Sequence, residues 1–426
     1  MARTSFDAAA VTAALAPLSE ADAERARRYP GDSGGRQPVH TCYVPANQVD
    51  VDLPRRWGEA ALAAMDEHAP TPADLAAVLD LPAELAEDVH PRVRAKLARE
   101  PVEDLRIDFE DGYGAPGDDQ EDADAVRAAE HLASWCASKH RPPSFGARLK
   151  SFDTPALRER GVRTLDVLLT ALLERTGGHL PEGFVLTFPK VTATAQVEAF
   201  TAVLELAERA LGLPERALRF EIQVETTQSV LDPSGRIALP AWIEAGRGRV
   251  SGLHFGTYDY TAACGLSAAQ QHLAHGACDF ARHVMQLSAA GTGVRLSDGS
   301  TNVLPVGDAD QVRLAWHTHG ALVRRSLVHG FYQGWDLHPA QLVSRYAAVF
   351  AFFRSAAEAD AARLRRYVDR AGGAVLDEPA TAQALAGSLR RAVDCGALDA
   401  EEAERLTGLS AEGLHALATR RPLPTG

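Results

Sequence analysis

The 426-residue chain is short of lysine, of cysteine motifs and of long apolar runs, and each shortage excludes something. Among 44 basic residues only Lys96, Lys139, Lys150 and Lys190 are lysines, and no basic tract stands out. With a formal net charge of −13, nucleic acid is not expected as a main partner, although a local basic pocket for an anionic substrate stays open. The five cysteines, Cys42, Cys136, Cys264, Cys278 and Cys395, form no CxxC pair and are odd in number. They read as reduced thiols of a cytoplasmic protein, not as a disulfide framework or zinc site. No apolar run approaches the roughly 18 residues that a membrane span needs, and the N-terminus lacks the apolar core of a signal peptide. There is no HExxH or P-loop, the GDSGG of the loop PGDSGGRQP (30–38) follows helical segments and not a strand as a GxSxG elbow would, and no GxGxxG follows the first apolar run, which disfavours zinc-protease, serine-hydrolase and dinucleotide-binding readings.

What is present is an ordinary globular composition, 46% hydrophobic and 24% charged, long enough for one large domain with a smaller appendage. Short apolar runs rich in β-branched and aromatic residues recur at 40–45, 104–110, 144–150, 183–190, 219–225 and 250–256, with weaker ones at 301–306 and 330–338. Helical patterns such as DADAVRAAEHLASWCASKH fill the gaps. Nearly continuous apolar strands alternating with helices predict a parallel sheet covered by helices. Eight such units predict an α/β fold, a (β/α)₈ TIM barrel. The expected division is an N-terminal helical extension over 1–38, the barrel over 39–345, and a helical C-terminal region over 346–426 broken at the glycine-rich AGGAV. The long gap 46–103 predicts an insertion of at least two helices in the first barrel unit.

Active-site groups of such barrels sit where strands end. The polar residues there are Asp108, Glu110, Asp111, Arg148, Lys150, Lys190, Glu225, Asp259, Asp336 and His338. Glu225 and Asp259 lie about one βα unit apart, so the barrel would make them neighbours. Two carboxylates with room for water suit Mg²⁺ or Mn²⁺; each could equally cap a helix or pair with an arginine. Alternation in GARLK puts Arg148 and Lys150 on one face. An inward Arg148 suits a carboxylate or enolate oxygen, or else a salt bridge to Glu110 or Asp111. Lys190 could form a Schiff base, or could simply pair with Glu225 or Glu110. His338, before a proline, could be a proton donor or a buried hydrogen-bonding residue.

In order, CYVPAN (42–47), RIDFEDG (106–112), GARLKS (146–151), LTFPKV (186–191), IQVETTQSVL (222–231), LHFGTYDYTAACG (253–265) and GWDLHPAQL (334–342) resemble the HpcH/HpaI aldolase and citrate lyase β-subunit superfamily of phosphoenolpyruvate/pyruvate-type barrels. The resemblance implies a metal-dependent carbon–carbon lyase working through a stabilised enolate. It implies Mg²⁺ on Glu225 and Asp259, substrate contact by Arg148 and a supporting acidic role for Glu110 and Asp111. Lys190, Gly256 and Thr257 are further candidates for substrate binding, and a metal-bound water, Asp111 or His338 for the general base. The substrate would be a small 2-oxo or hydroxy acid or an acyl-CoA thioester, and the protein a homo-oligomer. Two rival expectations are a Schiff-base aldolase through Lys190 and a non-catalytic barrel used for binding or assembly.

Overall fold

The computed structural model describes residues 5–369 and 378–421. Helices α1 (Ala8–Leu15) and α2 (Leu18–Arg28) precede β1 (His40–Pro45). The insertion holds α3 (Leu53–His68), α4 (Pro72–Leu79) and α5 (Ala83–Arg99), followed by β2 (Asp104–Asp108) and α6 (Asp118–Trp135). Then come β3 (Ser144–Arg148), α7 (Pro155–Arg175), β4 (Phe184–Phe188), α8 (Thr194–Leu211) and β5 (Phe220–Val224). Short helices α9 (Thr227–Val230) and α10 (Leu239–Ala245) lead to β6 (Val250–Phe255), α11 (Thr257–Ala263) and α12 (Gly276–Ala289). The circuit ends with β7 (Arg295–Ser297), α13 (Ala309–Val328), β8 (Gly334–Asp336) and α14 (Gln341–Val368). Helices α15 (Pro379–Cys395), α16 (Ala400–Thr407) and α17 (Ala411–Ala418) complete the chain. None of the helices among the described residues is long and apolar enough to cross a membrane.

All strand pairs are parallel, in the order β7-β6-β5-β4-β3-β2-β1-β8. A bridge between Ser297 and Gln333 closes the ring, helped by Asp298 N–H donating to the Gln333 carbonyl at 2.8 Å. The eight-stranded barrel expected from the sequence is therefore present. Its seventh strand is misplaced in the sequence reading. TNVLPV (301–306) is not a strand; the strand is the three residues RLS at 295–297. Val303 and Val306 of the mistaken run are 42% and 52% exposed, and Asn302 N–H bonds the Tyr258 hydroxyl instead of a ladder. β-Branched composition alone marks a half-buried surface, not a strand. Helix α14 runs unbroken across position 345, so the expected division there falls inside a helix; AGGAV lies outside the described residues.

The apolar core lies between sheet and helix ring. Ile107, Phe145, Leu186, Phe220, Ile222 and Leu253 are fully buried on the outward side of their strands. Period-two alternation then puts polar side chains inside the barrel. There Arg106 of β2 reaches across to Thr187 of β4 (3.2 Å) and Glu221 of β5 (2.9 Å), and pairs with Asp104. His254 lies 3.2 Å from Glu221, and Thr41 donates to Asp104 at 2.7 Å. The lumen is thus filled by a neutralised polar column in place of aliphatic layers.

A second buried knot seals β8 to β1. Asp336 receives Arg345 of α14 at 2.9 Å, with His319 of α13 at 3.1 Å and His40 of β1 at 3.3 Å. Against the penalty of burial, Arg345 and His319 hold the Asp336 carboxyl well below the ordinary carboxylate range. Asp336→Ala would leave Arg345 uncompensated. Urea unfolding at neutral pH should show a loss of about 3–5 kcal/mol. Because the folded-state pKa is depressed, this stabilisation is present above the unfolded carboxylate pKa and disappears as pH falls below it.

Candidate functional site at the strand C-terminal ends

Beyond the last residues of β2, β4, β5 and β6, four carboxylates gather around one ammonium. Lys190 follows β4 and adopts φ 52°, a left-handed conformation uncommon outside glycine and a mark of local strain. That turn aims its backbone N–H at Glu225, which accepts at 2.7 Å through Oε1. The Lys190 side chain leans over the mouth, with Nζ 2.8 Å from Asp259, 2.9 Å from Asp111 and 3.8 Å from Glu110. Lys190 is therefore paired, most closely with Asp259 and Asp111 and at longer range with Glu110, one of the two partners the sequence suggested, while Glu225 takes its backbone N–H.

Glu225 is 2% exposed, while the Asp259 side chain, in the first turn of α11, is 47% exposed. Burial pushes the Glu225 carboxyl up to about 7, Asp259 adding like charge and Lys190 pulling the other way. Burial pushes Glu110 up to about 8 against the pull of Arg148 and Lys190. Lys190 is raised above its ordinary value because Glu225, Glu110, Asp259 and Asp111 outweigh its burial. An amine held protonated is a poor nucleophile, so this environment disfavours the Schiff-base reading. Asp111 is lowered despite burial by its bond from Lys190.

Arg148 points into the barrel, where Asp108 takes it in a two-pronged contact at Nε (2.6 Å) and Nη2 (2.7 Å). Its Cζ lies 4.9 Å from the Tyr43 ring centroid. Only Nη1 is turned toward the acidic cluster, 3.2 Å from Glu110 and 3.4 Å from Gln223. With the Gln223 amide turned over, its nitrogen donates to Glu225 at 3.2 Å and its oxygen accepts from Arg148 at 3.3 Å. Gln223 and Tyr43 were not among the sequence candidates. Alternation in IQVE, which puts Gln223 on the face of Glu225, was the available signal.

The remaining candidates sit apart. Lys150 turns to the Phe109 and Gly114 carbonyls (3.0 and 3.2 Å) and to Glu121 at 3.2 Å, anchoring α6. Thr257 is buried and donates to the Ser300 carbonyl at 3.4 Å. His338 accepts from Ala340 N–H at 3.2 Å, and its own N–H bonds Gln341, so its bonds stay within its turn. Burial lowers its pKa. Gly256, in contrast, lies against the site. A Cβ there would come 2.4 Å from Glu225 Cβ and 2.8 Å from its Oε2.

Residues 18–422 match the family described as Domain of unknown function (DUF6986). The chain belongs to the DUF6986 family. A 116-residue stretch is 39% identical to L-malyl-CoA/β-methylmalyl-CoA lyase of Haloarcula marismortui, covering 27% of this DUF6986 chain and 30% of that protein. A citrate lyase from Burkholderia xenovorans LB400 superposes with TM-score 0.53 at 17% identity, over 87% of this chain and 97% of that one. Haloferax volcanii malate synthase, as a magnesium/glyoxylate complex, superposes with TM-score 0.50 at 14% identity, over 90% and 98%. Together these matches bear out the superfamily resemblance drawn from the seven motifs. The structural likenesses establish the shared barrel; they do not establish the chemistry of this DUF6986 member.

Among the described residues no three His, Cys, Asp or Glu side chains converge as a ready metal cage. Two carboxylates are what Mg²⁺ commonly takes from protein, with water and substrate completing six oxygens. The Asp259 charge acts on Glu225, and the bare Cα of Gly256 leaves Glu225 Oε2 unobstructed. Gly256→Ala should displace Glu225 and destabilise the fold by about 1–3 kcal/mol. Denaturant midpoints and a crystal structure of the variant check this; an unmoved Glu225 would contradict it.

Proposed function

We propose that this chain is a carbon–carbon bond lyase acting at the C-terminal mouth of its barrel. Its substrate is a small 2-oxo or hydroxy acid, free or as the coenzyme A thioester. Glu225 and Asp259 are the residues that hold a divalent cation, Mg²⁺ or Mn²⁺. The observation carrying this reading is the gathering of four carboxyl groups at one point: Glu110, Asp111, Glu225 and Asp259 surround the Lys190 ammonium, and Arg148 reaches Glu110 from below. The malyl-CoA lyase likeness supports the reaction class.

Bound there, a divalent cation would supply Lewis-acid polarisation of a substrate carbonyl. The residues around it have separable tasks. Lys190 balances the carboxylates, and Asp259 would have to be released from it to hold a cation. Arg148, immobilised by Asp108, offers Nη1 to a carboxylate or developing oxyanion; a pre-oriented donor of this kind needs no reorganisation during the reaction. Glu110, raised to about 8, holds a proton near neutrality and is suited to exchange one with substrate. Asp111 stays ionised under Lys190, and His338 is engaged in its own turn, so Glu110 is the stronger proton carrier of the three.

Glu225→Gln and Asp259→Asn should each weaken Mg²⁺ binding by more than about tenfold, roughly 1.4 kcal/mol, while thermal melting stays close to wild type. Titration calorimetry reads this, and undiminished binding in either variant removes that residue from the metal site. Cleavage of malyl-CoA and of free hydroxy acids should fall with binding.

Protons compete with the cation at Glu225, whose pKa is about 7. Mg²⁺ affinity should therefore rise between about pH 6 and pH 8, by up to about tenfold per pH unit below that pKa. A flat profile would show that Glu225 does not take part. Borohydride trapping with pyruvate should leave Lys190 unmodified.

A further inference from the structure

The opposite end of the barrel carries the reverse charge. Before β1, residues 30–38 cross the strand N-termini as a strap: Gly31 N–H bonds the Gly291 carbonyl at 2.8 Å, and Gln37 bonds the Leu296 carbonyl at 3.0 Å. Between this strap, the starts of β7 and β8, and helix α15 lies a cavity of about 320 Å³. Arg295, Arg390 and Arg391 line it, against Asp32 and Asp394. It shares Asp32, Gly35 and Arg295 with a neighbouring cavity of about 1110 Å³ on the same face.

Arg390 is 8% exposed, and its Nη2 pairs with Asp32 at 2.9 Å. Its Nε and Nη1 are buried with no hydrogen-bond partner. An unmet buried donor costs about 1–3 kcal/mol, more when charged; both nitrogens lie behind the cavity wall, so a small turn of the Arg390 guanidinium toward the cavity would let an acceptor there relieve that cost. Arg295 donates only to backbone carbonyls, those of Arg36 and Gly35, each at 2.7 Å. Burial, with Arg219 and Arg390 as cationic neighbours, lowers its pKa, and Asp32 and Glu221 only partly offset this. Arg391 is held over the Tyr332 ring at 4.4 Å, with Asp32 at 3.8 Å. Burial raises the Asp394 pKa, against the pull of Arg390. Three guanidinium forks face two carboxylates.

We propose that this N-terminal-face cavity is a binding site for a small multivalent oxyanion, a phosphoryl group or a di- or tricarboxylate, received by Arg390, Arg295 and Arg391. Guanidinium forks match such oxygens two at a time, and the volume admits a compact ligand without displacing the strap. The site is separate from the carboxylate cluster at the mouth and stands whether or not that mouth is a lyase site.

Calorimetric titration of the full chain with pyrophosphate and, separately, with citrate tests it. At least one of the two should bind saturably. Pyrophosphate alone would assign a phosphoryl ligand, and citrate alone a polycarboxylate. Arg390→Lys keeps a cation for Asp32 but removes the fork, and Arg391→Gln removes a charge from the wall. Each should weaken binding by at least about tenfold, with Glu225→Gln leaving it unchanged. Binding of neither anion, binding that persists in both arginine variants, or binding lost with Glu225→Gln would overturn the proposal. If Arg390→Lys melts early, Arg391→Gln alone decides.

Discussion

Arg106 and Arg148 are buried inside the barrel, and the polar residues around them are arranged to neutralise them. Arg106 is fully buried among Asp104, Glu221 and Thr187, and Arg148 is gripped by Asp108. A charge in that position without a partner would cost several kcal/mol. Tyr43, Thr41, His254 and Gln333 satisfy what remains: Gln333 donates to Thr41 at 2.8 Å, and the Tyr43 hydroxyl lies 3.4 Å from His254. Because these bonds cross from strand to strand, they fix register as well as charge. A slip of one residue would turn every polar side chain into the apolar ring and every apolar one into the lumen.

That column also fixes the mouth. Asp108 consumes two of the three donor positions of Arg148, so the third can face only Glu110 and Gln223. Gln223 in turn stands between Arg148 and Glu225. Above it, Lys190 takes a backbone conformation with φ 52° that gives Glu225 a hydrogen bond and frees the ammonium to lean outward. Local strain, a buried carboxylate with a raised pKa and a crowd of like charges coincide at one place. Such features are retained where surrounding structure overdetermines them, and perturbed groups of this kind concentrate at functional sites.

The sequence carried most of this arrangement, because strands buried on both faces leave strong marks. The first six runs appear as strands within a few residues, and Glu225, Asp259 and Lys190 are close together, as position after successive strands requires. What it did not carry is instructive. Strand β7 is three residues, RLS, with an arginine at its start, too short to show a period and less apolar than TNVLPV beside it. The partner of Arg148 was expected at Glu110 or Asp111; Glu110 is one, at 3.2 Å, but Asp108 takes the two-pronged contact, because in-register parallel pairing sets Asp108 directly beside Arg148. The pairing of Lys190 with Asp259 depends on a side chain crossing a mouth whose width no spacing rule gives.

A net charge of −13 says little about where an anion would be welcome, since the sum conceals a polar molecule. At the strand C-termini, carboxylates outnumber the one ammonium and seek a cation. In the lumen, charges pair off. At the strand N-termini, Arg295, Arg390 and Arg391 outnumber their carboxylates, and two donors of Arg390 lie buried and unbonded. Helix α15 supplies two of those arginines and contacts α14, while Arg345 of α14 grips Asp336 at the end of β8. The C-terminal helices are therefore wired both to the arginine cavity and to the strand that closes the ring. An appendage that only covered apolar surface would need neither connection, and the placement of its arginines is decided by charge as much as by packing.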